Sequence, residues 1–138
     1  MADDVILNKA ASIERCLQRI VEEYAGDQQN LITNQTKQDA IILNLQRACE
    51  TAIDLAMYVV SQRKLGVPQD SRDAFALLQT AGMLPSGLVQ RMQRMVGFRN
   101  VAIHEYTRLN LAVVHSIITK QLDDFRIFSS TIVKASAR

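Results

Sequence analysis

Apolar residues along this chain recur at alternating steps of four and three. Ile6, Ala10, Ile13, Leu17, Ile20 and Tyr24 follow that rule, which puts them on one face of a helix running from about Asp4 to Ala25. Gly26 and Asp27 end it. The same spacing through Ile41, Leu45, Ala48, Ala52, Leu55 and Val59 predicts a second helix from about Asn34 to Lys64, roughly 45 Å long at 1.5 Å per residue. Ile42, Cys49, Ile53 and Val60 add a second stripe, so this helix is expected to be buried on more than one side, with length to spare for a partner.

Gly66 and Pro68 break the pattern, and Asp70 or Ser71 can cap a short third helix through "RDAFALLQTAG", ended by Gly82. Pro85 suits the first turn of a fourth helix whose apolar face is Leu88, Met92 and Met95. Leu111, Val114, Ile118, Leu122, Phe125, Phe128 and Ile132 define one last long helix. No alternating strand pattern, repeat or low-complexity segment interrupts the series. The expectation is an all-α fold, an antiparallel bundle of about five helices forming one domain over residues 1–138.

A chain of 138 residues can bury a real core without metal or disulfides. No apolar run approaches the roughly 18 residues needed to cross a bilayer, and "MADDVILNKA" is acidic without a signal-peptide layout, which points to a soluble cytoplasmic protein. Cys16 and Cys49 are isolated within helical apolar patterns and read as buried free thiols; no Cys/His cluster suggests zinc. The net charge is only +2, but it is uneven. Acids prevail in residues 1–30, whereas Arg91, Arg94, Arg99 and Arg108 face Glu105 alone in residues 88–110, a distribution that would attract a phosphate backbone.

Those arginines surround "RNVAIHEY", residues 99–106. A guanidinium matches phosphate oxygens with two parallel hydrogen bonds, an imidazole ordinarily titrates near neutrality, and an amide can orient either. Metal-free RNA cleavage needs such groups: the 2′-hydroxyl loses a proton, the 5′-oxygen gains one, and the charge on the phosphorane must be met. On one continuous helix, however, Arg99 and His104 stand about 140° apart. A break or bend at Gly97 would let them converge. The other histidine, His115, lies about 16 Å further along a straight helix, too far to share the same phosphate, and reads as a packing or surface residue. A two-fold homodimer would instead place two copies of His104 across one cleft.

This motif, an arginine followed by an asparagine, then a histidine and a tyrosine, resembles the R-x4-H-x-Y motif of the HepT family, toxins of the HEPN superfamily. The likeness extends over nearly the whole chain, including "DAIILNLQRACETAIDLA" in the second helix. The resemblance implies a metal-independent endoribonuclease of tRNA or mRNA, without cofactors, acting as a homodimer with the motif of both protomers at the interface. It implies that Arg99 binds phosphate, His104 is the acid and base, and Asn100 orients the phosphate or the histidine. Tyr106 matches the tyrosine that a minimal nucleotidyltransferase antitoxin of the MntA type modifies with AMP. Nucleotide phosphates beside Arg99 would add bulk and negative charge where RNA must sit.

Asp54 interrupts "TAIDLAMYVV", where an unpaired carboxylate would be costly. It is expected either to form a structural ion pair, with Arg99 or another arginine, or to orient Arg99 or His104 as a supporting acid. Glu50 lies one turn earlier, so at least one of the two should face a cation. Asp39 suits the start of its helix through the dipole. The second long helix and the last helix both offer a dimer surface. A rival function from another class stays open: a non-catalytic helical module holding a nucleotide or partner, in keeping with four Phe and three Tyr in the chain and so few rings for base stacking.

Overall fold

The computed structural model describes residues 3–137. Among them are seven α-helices and no strand: α1 (Asp4–Tyr24), α2 (Gln29–Ile32), α3 (Gln35–Gln62), α4 (Ser71–Thr80), α5 (Ser86–His104), α6 (Leu111–Lys120) and α7 (Leu122–Ser136), with a 3-10 turn at Tyr106–Arg108. Side-chain oxygens cap four helix starts. Asp3 accepts from the Val5 amide, Asn34 from Lys37, Asp70 from Asp73 and, at α6, Asn110 from the Ala112 amide, each meeting a donor the first helical turn leaves free. Ala25 closes α1 in the left-handed conformation at φ 50°.

α3 is the central helix, with α1, α4, α5 and α7 packed around it. Side-chain ties give the directions. Tyr58 near the end of α3 donates to Asp3 at the start of α1, and Lys37 at the start of α3 meets Glu23 at the end of α1, so these two helices are antiparallel. α5 also runs antiparallel to α3, because Arg99 pairs with Glu50 and the later Tyr106 with the earlier Asp39. α3 is buried from Ile41 to Val60 on two stripes, as its pattern predicts. Phe75 of α4 and Phe128 of α7 meet edge to face with ring centroids 5.4 Å apart, tying outer helices into one core.

Three expectations are corrected. Gly97 is no hinge: α5 continues through it to His104. Its missing side chain is filled from α4, since a Cβ there would lie 3.0 Å from Arg72 Nη2, and Arg72 and Gln93 exchange hydrogen bonds with each other's backbone carbonyls. The last helix is two, parted at Gln121, whose φ −126° and ψ 2° interrupt the ladder while the step from Ile118 to Leu122 keeps the apolar spacing. Finally, α2 fills the connection after α1, stitched by Asn30 donating to the Tyr24 carbonyl and Gln38 to that of Leu31. Among the described residues no helix is long and apolar enough to cross a membrane.

Candidate active site

α5 carries the motif, and its rotation decides where each group points. Arg99 lies on the inward face, flanked one turn either way by buried Met95 and Ala102. A charged head there requires partners. Nη1 donates to Glu50 Oε1 at 3.0 Å and Nη2 to Ser71 Oγ at 3.2 Å, while Nε is buried without one. The guanidinium is thereby braced between α3 and the first residue of α4.

Asn100 and His104 stand one turn apart on a different edge of α5. Asn100 is half-buried and His104 exposed, and neither side chain hydrogen-bonds to another group among the described residues. With α5 unbroken, Arg99 and His104 diverge around it by about 140°. One chain therefore does not gather its arginine and histidine into one cluster.

After His104 the backbone leaves the helix at Glu105, φ −140° and ψ 46°, and the 3-10 turn presents Tyr106. Its hydroxyl donates to Asp39 Oδ1 at 2.5 Å, an oxygen that also accepts from Gln35 Nε2 at 2.8 Å. Removal from water, then the hydrogen bond and charge of Asp39, push the Tyr106 hydroxyl up to about 12. Asp39 and Glu50 are eleven residues apart, which on α3 leaves them within about 20° of each other around the axis and about 16 Å along it. Two carboxylates of α3 thus match two motif residues, Arg99 on the antiparallel α5 and Tyr106 in the turn that follows it.

Asp54 does not take the place expected for it. It is exposed, because the apolar neighbours that flank it in sequence point around the helix and away from it. Glu50 faces the arginine instead. The Arg99 contact with Ser71 and the Tyr106 contact with Asp39 escape sequence reasoning; the antiparallel register of α3 and α5 is the signal that links the latter pair. His115 packs against Tyr24, its Nε2 3.1 Å from the phenol oxygen. Both cysteines are buried, and burial pushes the Cys49 thiol up.

The four arginines divide. Arg91 is tied to Asp124, Nε to Oδ1 at 2.9 Å, and Arg99 to Glu50. Arg94 and Arg108 instead line a cleft of about 590 Å3 between α5 and α6, walled by Phe98, Val101, Leu109 and Val113. Among the described residues Arg108 is held by Glu105 alone, at 3.8 Å, with both side chains well exposed. Among the described residues no three His, Cys, Asp or Glu side chains are grouped to hold a metal ion.

Known proteins resemble this chain throughout. A family profile described as ribonuclease HepT-like matches residues 11–132. The mRNA nuclease HepT of Shewanella oneidensis is 43% identical over 130 residues, covering 94% of this chain and 97% of that protein. Among solved structures, a tri-AMPylated Shewanella oneidensis HEPN toxin in complex with its MNT antitoxin is 43% identical and superposes with a TM-score of 0.89, covering 96% of this chain and 98% of that one. A toxin–antitoxin complex with AMP-PNP is 42% identical with a TM-score of 0.90, covering 96% and 99%.

Proposed function

The chain belongs to the ribonuclease HepT-like family, and from that premise we propose that it is the toxin of a toxin–antitoxin pair, an endoribonuclease that cuts tRNA or mRNA without a metal ion. Its site is assembled across a homodimer from Arg99, Asn100 and His104 of both copies. The observation that carries this reading is the 43% identity to an mRNA nuclease over 94% of this chain, to which the structure adds an exposed His104 on α5. One protomer offers a single exposed imidazole, and cleavage through the 2′-hydroxyl calls for a base and an acid.

A two-fold axis beside His104 supplies both. One imidazole removes the 2′-hydroxyl proton, the 2′-oxygen attacks phosphorus, and the other imidazole protonates the departing 5′-oxygen. Arg99 meets the charge on the phosphorane; Glu50 and Ser71 each take one Nη contact, so the guanidinium is held in place with Nη hydrogens left for phosphate. Asn100, one turn from His104, orients the imidazole or the phosphate. The cleft bearing Arg94 and Arg108 adjoins this edge of α5 and receives the RNA backbone.

The antitoxin is a minimal nucleotidyltransferase of the MntA type that transfers AMP to Tyr106. The AMP-modified HEPN toxin bound to an MNT antitoxin supports that partner. Adenylate phosphates on Tyr106, two residues from His104, would occupy and charge the path of the RNA.

The test is an RNA that the protein cuts, remade with 2′-O-methyl groups throughout. The methylated strand is expected to bind and stay intact, and cleavage of it would remove the 2′-hydroxyl mechanism. Binding of both strands without turnover of either would leave a non-catalytic RNA-holding module.

A further inference from the structure

Tyr106 and Asp39 are 67 positions apart in sequence, yet the phenol of one is held by the carboxylate of the other. Asp39 has no cation opposite it among the described residues. Its Oδ1 accepts from the Gln35 amide and from Tyr106, so its negative charge is offset by two neutral donors. Tyr106 is 41% exposed, in a turn that a large partner can reach. A tyrosine hydroxyl in water points wherever its rotor takes it; this one is aimed along a fixed line, with a base at the end of that line.

We propose that Asp39 belongs to the nucleotidyl-acceptor site of this chain, orienting the Tyr106 hydroxyl and receiving its proton as the phenol oxygen attacks a nucleoside triphosphate. The proposal rests on the reading of Tyr106 as the modified residue and adds a base supplied by the toxin itself. The phenol oxygen forms a bond to the α-phosphorus, the bond from that phosphorus to the bridging oxygen breaks, pyrophosphate leaves, and the phenol proton passes to Asp39. The hydrogen bond that makes an unassisted phenol harder to ionise is the path by which its proton departs during attack. Gln35, donating to the same oxygen, fixes the carboxylate's rotamer.

The experiment uses the full chain with a minimal nucleotidyltransferase of the MntA type and ATP labelled in the α-phosphate. Initial rates of labelling are compared for wild type, Asp39→Asn, Asp39→Glu and Tyr106→Phe, each shown by thermal unfolding to be folded. Asp39→Asn keeps the shape and an acceptor oxygen but not the base. Its labelling is expected to slow by roughly a hundredfold in kcat, with little change in KM for the toxin and with recovery as pH rises and the phenol ionises unaided. Asp39→Glu should restore part of the rate. Wild-type labelling rate and pH profile in Asp39→Asn overturn the proposal, and so does a loss confined to KM, which would make Asp39 a docking contact. Undiminished labelling of Tyr106→Phe, or none of the wild type, instead overturns the reading of Tyr106 and the proposal with it.

Discussion

Arg99 on α5 is anchored to Glu50 on α3, Nη1 to Oε1 at 3.0 Å, with the arginine side chain 19% and the glutamate 36% exposed. The contact orders a long cation before any substrate arrives. Replacing Glu50 with Gln keeps an acceptor and removes the charge, so folding should change by less than about 1 kcal/mol. RNA cleavage should fall about tenfold as the guanidinium loses its fixed position. Glu50→Ala leaves a largely buried cation with Ser71 alone and is expected to cost about 1–2 kcal/mol, below the figure for a fully buried pair because Glu50 meets solvent. Parallel thermal unfolding and cleavage assays separate the two effects.

Arg94 and Arg108 should be read apart from Arg91, although all three lie in one arginine-rich segment. If the cleft between α5 and α6 carries the RNA backbone, Arg94→Ala and Arg108→Ala each lower affinity and each reduce the slope of log affinity against log salt by about one. Arg91→Ala should leave that slope unchanged. It would instead lower stability, because Asp124 is buried and its second oxygen already lacks a partner. Fluorescence anisotropy of labelled RNA at several salt concentrations measures the slopes.

Tyr106 offers a titration. Its phenol is pushed up to about 12 by burial and by Asp39, so absorbance of the folded protein should show one tyrosine ionising about two units above the ordinary value near 10. The sign for stability follows. The neutral phenol is the favoured folded form, its contribution is complete below about pH 10, and it is lost as pH rises through about 12. Asp39→Ala should bring the midpoint down toward the ordinary value, and an unmoved midpoint would show burial alone to be responsible.

Gly97→Ala distinguishes a hinge from a close approach. The added methyl would lie 3.0 Å from the flexible end of Arg72, which can move aside, and alanine favours a helix over glycine by up to about 1 kcal/mol. Stability should hold or rise slightly, with cleavage retained. Loss of cleavage in a more stable protein would mean that α5 must bend at this point to work.

Much of the bundle was legible because burial leaves a period. α1 and α3 follow their apolar spacing to within a residue or two, and Asn34 and Asp70 cap where short polar side chains precede a helix. The break at Gln121 was not, since Leu122 continues the period across it and a single extended φ leaves no mark on apolar spacing. The site was legible in its residue types and not in its pairings. Glu50 and Asp54 look alike in sequence, one turn apart on α3, and only the register against α5 assigns Glu50 to Arg99 and leaves Asp54 in solvent. Glycine was misleading for a related reason: Gly97 resembles a hinge until Arg72 from another helix is seen lying over it.

The most direct measurement is cleavage of a mixed tRNA and mRNA substrate in EDTA by unmodified protein, beside His104→Ala and Arg99→Ala variants of confirmed fold. The account predicts fragments ending in 2′,3′-cyclic phosphate from the wild type and their loss in both variants. Cleavage undiminished in His104→Ala, or abolished by the chelator and restored by added metal, would contradict it.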